Sequence, residues 1–242
     1  MTSNTFRVIL FLILFSTASS LAQNRVTVAD QLKSARESNK SALIIVSDNE
    51  NSAEHIVELA KGAATEYVDI IEVNADDQDN FPIINEYRLD GVPLPCILVI
   101  SDRGDTLGGL LSSQITAESI SDVIPTPKYC EIAHMLRAGR SIIINISDSQ
   151  FKSDKAAKEL CEATAIELGE HGGAMSFDIH DEVEAKLINM LILDAELSDS
   201  YIAVINTQGM IVGRFHTLPT QQELIASTKE VVEATCSCGV EH

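Results

Sequence analysis

The sequence predicts an α/β protein of two tandem domains, each a central mixed β-sheet flanked by helices, and three observations support this. One pattern occurs twice. Ala42-Leu-Ile-Ile-Val46 leads to Cys96-Ile-Leu-Val-Ile-Ser-Asp-Arg-Gly104, and Ser141-Ile-Ile-Ile-Asn145 leads to Tyr201-Ile-Ala-Val-Ile-Asn-Thr-Gln-Gly209, offset by about 100 residues at the first strand and 105 at the hairpin glycine. Short continuous apolar runs, suited to strands buried on both faces, alternate with amphipathic stretches of helical period. Between the copies stands Pro125-Thr-Pro127, too stiff and too poor in donors to continue a helix. A chain of 242 residues is long enough for two domains that each bury a core, built here mostly of Ile, Leu, Val and Ala because Trp is absent.

In the first copy Val28, Leu32 and Ala35 share one face of a helix over 28–39. Ala42 to Val46 reads as a central strand. After it comes the polar turn Asp48-Asn-Glu-Asn-Ser52, in which Asn51, with Glu54 three residues on, is placed to cap a helix reaching about Tyr67. Val68 to Val73 is the next strand and Phe81 to Tyr87 a short helix. Gly91-Val-Pro-Leu-Pro95 breaks that helix, and Cys96 to Ile100 is a strand. Asp102-Arg-Gly-Asp105 turns the chain into a hairpin partner, Thr106 to Leu110, before Thr116 caps a closing helix through Ile124. The second copy repeats the order: helix Tyr129 to Arg137, strand Ser141 to Ser147, helix Ser153 to Leu168, strand Met175 to Ile179, helix Glu182 to Leu193, hairpin Tyr201 to Ile205 and Ile211 to Phe215, helix Thr220 to Ala234. The expected domains are therefore 26–124 and 127–234, with a tail at 235–242.

This order of elements, with Gly91-Val-Pro-Leu-Pro95 leading into a strand and a glycine turn, resembles the thioredoxin fold over roughly residues 26–124. The second copy departs further, with Asp199-Ser200 where a proline would precede the strand. The resemblance implies a cis proline facing the active-site helix. Counting back nine residues from Gly104 points to Pro95, whereas the tripeptide Gly91-Val-Pro93 points to Pro93. It also implies where redox cysteines would stand: at the N-terminus of the helix after the first central strand, where the helix dipole and free N–H groups stabilise a thiolate. Those places hold Asp48-Asn-Glu-Asn-Ser-Ala-Glu54 and Asp148-Ser-Gln-Phe-Lys-Ser-Asp154, without a cysteine in either. No catalytic residue carries over, and dithiol exchange at either usual position is excluded by composition. In the family that this order of elements resembles, substrate contact beside the cis proline uses backbone groups, which need no thiol. What the resemblance leaves is a redox-inactive groove for a protein or peptide partner, formed by Asn51, Ser52, Pro93, Pro95 and Cys96.

Residues 1–22 read as a secretory signal: Arg7, an eight-residue apolar core from Val8 to Phe15, and Ser20-Leu21-Ala22 before Gln23. That core is far short of the ~20 residues needed to span a bilayer, so the expected address is periplasmic or secreted, with no membrane span after signal removal. With 36 acidic against 17 basic residues the chain carries −19, which repels nucleic acid and anionic lipid. Such acidity solvates a surface or, alternatively, stores calcium diffusely; Asp76-Asp-Gln-Asp-Asn80 lacks the glycine and final glutamate of an EF-hand loop. Oligomeric state leaves no mark on the sequence.

Of five cysteines, Cys96, Cys130 and Cys161 sit among apolar neighbours as buried small hydrophobes. Cys96, beside Pro95, lies nearest the vacant active-site position. Cys236-Ser-Cys238 is the one close pair. It offers a second class of function, a thiol redox shuttle or, with His242, a soft-metal site for copper(I) or zinc, although three ligands fall short of the four of a structural zinc site. Its place beyond the C-terminus of the last helix disfavours the thiolate. Asp178, His180, Asp181, Glu182 and Glu184 form the densest mixed cluster, readable as metal ligands or as ordinary exposed acids at a strand-to-helix junction. No nucleophile elbow, phosphate loop or zinc-protease helix is present, and no other cofactor is implied. The sequence points away from an enzyme.

Overall fold

The structure is a computed structural model that describes residues 26–193 and 196–230. The first unit runs α1 (Val28–Glu37), β1 (Ser41–Ser47), α2 (Glu54–Ala63), β2 (Val68–Asn74), α3 (Phe81–Glu86), β3 (Cys96–Ile100), β4 (Thr106–Leu110) and α4 (Ala117–Val123). The second runs α5 (Pro127–Arg137), β5 (Ser141–Ser147), α6 (Asp154–Leu168), β6 (Gly172–Asp178), α7 (Ala185–Ile192), β7 (Tyr201–Ile205), β8 (Ile211–Phe215) and α8 (Gln221–Thr228). Each unit forms one four-stranded sheet, in the orders β2-β1-β3-β4 and β6-β5-β7-β8. The first two strands of each pair in parallel, and the other neighbours are antiparallel. Even the irregularity repeats: a register shift at Val99/Ile100 recurs at Val204/Ile205.

The continuous apolar runs are central strands for the reason their composition implies. β1 is covered on both faces, so Leu43 and Ile45 point to the layer of α2 and α4 while Ala42, Ile44 and Val46 point to that of α1 and α3. β5 does the same with one exception. Asn145, in the place of Ile45, is 1% exposed, and its Oδ1 has no hydrogen-bond partner.

Helix ends follow local chemistry. Thr27 and Asp30 make a reciprocal capping box on α1, as do Thr220 and Glu223 on α8. Thr116 caps α4 by accepting from Ser119 N–H. Several boundaries differ from the sequence reading, among them α7, which starts at Ala185 rather than Glu182, and α8, which ends at Thr228 where the reading ran on. α5 begins at Pro127 rather than Tyr129, because proline at a first helical position loses no intrahelical bond and Thr126 supplies the cap. β6 starts at Gly172, since two glycines next to the helix end allow the ladder to extend back to Ser141. α2 stops at Ala63, well before Tyr67, and its N-cap is Ala53 with no side-chain bond, so Asn51 does not cap it.

The units meet through the short linker. Ser41 Oγ lies 3.3 Å from Cys130 Sγ in the buried interface. Asp105, in the first hairpin turn, stands 3.3 Å from Arg137 Nη1 and 3.4 Å from His134 Nδ1, and Arg137 also donates to the Thr106 carbonyl. Lys186 Nζ meets Asp122 Oδ1 at 2.6 Å.

Candidate functional site

The candidate groove lies where β1 ends. Val46 pairs with Cys96, so the register carried one residue further sets Pro95 opposite Ser47, at the mouth of the Asp48–Ser52 loop. The Leu94–Pro95 peptide bond is cis and Val92–Pro93 is not, which decides between the two prolines. Pro93 and Pro95 have no N–H, so Leu94 carries the only amide donor of that tripeptide. Its N–H and C=O make no hydrogen bond among the described residues. Leu94 and Pro95 are half-buried and Pro93 is exposed.

Facing them, the loop is fixed by its own polar side chains. Asp48 Oδ1 accepts from the N–H of Glu50 (3.0 Å), the N–H of Asn51 (2.6 Å) and Asn51 Nδ2 (2.9 Å), which keeps the Asp48 carboxyl below its ordinary value. Asn49 is tied to the β2 end, its N–H donating to Asp76 Oδ2 and its Oδ1 accepting from Asn74 Nδ2, both at 2.9 Å. Ser52 Oγ accepts from Glu54 N–H at 3.4 Å. The place of the missing thiols is thus a turn of amides and carboxylates with Asp48 as its central acceptor, Asn51 bound to it and Ser52 at the start of α2.

Cys96 is adjacent in sequence but not open to the groove. Its side chain is 2% exposed and packs with Val28, Leu32 and Ile44 on the α1 side of the sheet, whereas α2 packs on the other side. Burial pushes its thiol up, and does the same at Cys130. At Cys161 burial pushes it to about 12. All three are free and buried.

The second copy closes the same place on itself. Asp199, which aligns with Leu94, accepts from Ser153 N–H (3.0 Å), Ser153 Oγ (2.8 Å) and Ser200 N–H (2.8 Å). Those bonds hold its carboxyl below the ordinary value and cap the start of α6, whose own N-cap side chain makes no such bond. Nearby, His180 Nε2 sits 2.9 Å from Asp148 Oδ2. The acidic cluster around it is dispersed: Glu184, 2% exposed, turns away to accept from Thr126 Oγ1 and Lys128 N–H. Among the described residues no three His, Cys, Asp or Glu side chains gather as a metal site. Cys236, Cys238 and His242, like the signal segment 1–22, lie outside the described residues.

Sequence reasoning missed Leu94 and Asp199. For Leu94 the signal was available, a lone donor between two prolines. For Asp199 the sequence marked the place, where a proline would precede the strand, but not the partner, because Ser153 is distant in sequence.

Both halves carry the thioredoxin-like fold. That statement rests on the strand order and register shared by the two halves, with the cis proline in the first alone. No protein-family model matches the chain, and no curated protein matches its sequence. Among solved structures it is similar to a disulphide isomerase from Xylella fastidiosa Temecula1 (12% identity, 44% of this chain and 88% of that one, TM-score 0.32). It is also similar to the first two thioredoxin domains of Saccharomyces cerevisiae Eps1p (8%, 85% and 97%, 0.32) and to human ERp44 in a zinc-bound form (14%, 84% and 56%, 0.35). Likeness at these TM-scores carries no argument about activity. No helix among the described residues is long and apolar enough to cross a membrane.

Proposed function

We propose that this chain is an exported, redox-inactive thioredoxin-like protein that holds an extended segment of a protein or peptide partner in the groove of its first domain. The observation that carries this is the open backbone of Leu94 beside the cis bond. A peptide laid antiparallel there gains an N–H and a C=O partner, with the Asp48–Ser52 loop as the opposing wall and no thiol required. The second domain, closed by Asp199, serves as a scaffold for the first. Export to the periplasm or outside the cell rests on the signal-like residues 1–22, and metal binding at the tail stays with the alternative reading, that Cys236, Cys238 and His242 do the work.

The test is a polarisation screen of extended peptides against the mature chain, followed by amide exchange on the hits. Binding that protects the Leu94 amide, weakens about tenfold or more in Pro95→Ala, and is unchanged in a Cys236→Ser/Cys238→Ser chain supports the proposal. Binding lost with the tail cysteines and indifferent to Pro95→Ala transfers the function to the tail.

A further inference from the structure

A second site lies between the domains, away from the Pro95 groove. A cleft of about 410 Å³ opens between the β4–α4 side of the first domain and α5 and α7 of the second. Val99, Leu107, Gly108 and Val123 form one wall; Tyr129, Leu187 and Met190 form the other. That volume is in the range of small-molecule sites, and a position between domains is a common one for them. Two of its lining residues, Tyr129 and Met190, stand half exposed, at 42% and 51%.

The internal repeat shows what the cleft is shaped for. Gly108 pairs with Val99 and Gly213 pairs with Val204, so the two glycines occupy one position in the two copies. At Gly213 the space a side chain would take is filled: the ring of Phe215, two residues on, lies 2.8 Å from where a Cβ would be. The residue at that place in the first copy is Leu110, and around Gly108 nothing lies within 4 Å of the corresponding point. One copy seats its own aromatic ring over the glycine; the other leaves the seat open to the cleft.

Charge narrows the occupant further. The ionic groups at the cleft, Lys186 and Asp122, satisfy each other at 2.6 Å, and the Thr126 hydroxyl is given to Glu184 at 2.5 Å. A charged ligand would lose water there without gaining a free counter-charge. We infer that the interdomain cleft is a binding site for a small neutral aromatic molecule, whose ring lies over Gly108 between Val99 and Met190.

The chain has no Trp, so a neutral environment-sensitive dye reports on the cleft without an intrinsic Trp background. N-phenyl-1-naphthylamine titrated into the full mature chain should give saturable one-to-one fluorescence enhancement. Gly108→Phe, whose Cβ has nothing within 4 Å and whose ring would occupy the cleft, should weaken it about tenfold or more while leaving the melting temperature of the unliganded chain nearly unchanged. Met190→Glu, at an exposed helix position, should weaken it similarly and gives the reading should Gly108→Phe fail to fold. Absence of saturable enhancement in the parent chain, or enhancement that survives in the folded variants, overturns the assignment.

Discussion

Replacing Glu184 tests whether a buried carboxylate fastens the start of the second domain. Glu184 is 2% exposed; its Oε2 accepts from Thr126 Oγ1 at 2.5 Å and its Oε1 from Lys128 N–H at 2.9 Å, at the N-terminus of the 11-residue α5. Thr126 in turn caps α5 by accepting from Tyr129 N–H, so one anion holds both the capping side chain and a free helix amide. Glu184→Ala removes two hydrogen bonds to a charged group, worth about 1.5–3 kcal/mol each when made, and leaves the Lys128 amide without a partner. It also removes an anion from the positive end of a helix, a further ~0.3–1 kcal/mol. Non-additivity brings the expected loss to about 4 kcal/mol. Glu184→Gln keeps one acceptor and loses the charge, and should cost about half as much. With a urea slope of ~2 kcal/mol/M, the alanine variant lowers the midpoint of the second-domain transition by about 2 M, read by circular dichroism, with faster exchange at the α5 amides. A shift below about 0.5 M, or equal losses for the alanine and glutamine variants, would refute the reasoning.

Other expectations follow from single positions. A Cβ at Gly109 would run into the Ile97 carbonyl oxygen, so Gly109→Ala should cost about 2–3 kcal/mol while Gly108→Ala stays within about 0.5 kcal/mol; equal values in urea unfolding would contradict the packing. Asn145→Val, replacing a buried amide whose Oδ1 has no partner, should raise stability by about 1–2 kcal/mol, and a loss instead would mean that the amide is satisfied. The Asp199 carboxyl is held below the ordinary value of 3.8, so its contribution is complete above that value and disappears as pH falls through the lower folded one. The melting-temperature gap between the parent and Asp199→Asn should therefore be constant near neutrality and shrink in acid; a gap that widens in acid has the wrong sign. Cys96, Cys130 and Cys161, with thiols raised by burial, should resist iodoacetamide at pH 8 until the chain is unfolded, as peptide mass analysis would register.

Strands were the most legible elements. Cys96–Ile100, Thr106–Leu110, Ser141–Ser147, Tyr201–Ile205 and Ile211–Phe215 lie where the apolar runs and glycine turns put them. The central strands, buried on both faces, are apolar apart from Asn145 and their end serines, whereas the edge strands β4 and β8 are marked by the glycine turns before them. Helix ends were less legible because they depend on which polar group reaches which amide. Asn51 followed by Glu54 has the spacing of a cap, yet Asn51 is drawn into the turn by donating its N–H and Nδ2 to Asp48, and the helix begins two residues later with Ala53, which has no capping side chain, at its N-cap. At the candidate groove, Pro95 could be counted from Gly104, while the burial of the Cys96 thiol on the far side of the sheet follows from strand alternation only once the register is known.

By itself the sequence determined the repeat, the order of elements and the lack of cysteine at both helix starts, because apolar period, turn residues and composition act along the chain. Tertiary structure decided which of the two prolines is cis, that Asp199 closes the second groove, and that Gly108 opens onto a cleft where Gly213 does not. Asp199 reaches Ser153 across 46 residues, and the wall facing Gly108 comes from the second domain; on separations of that kind local periodicity carries no information.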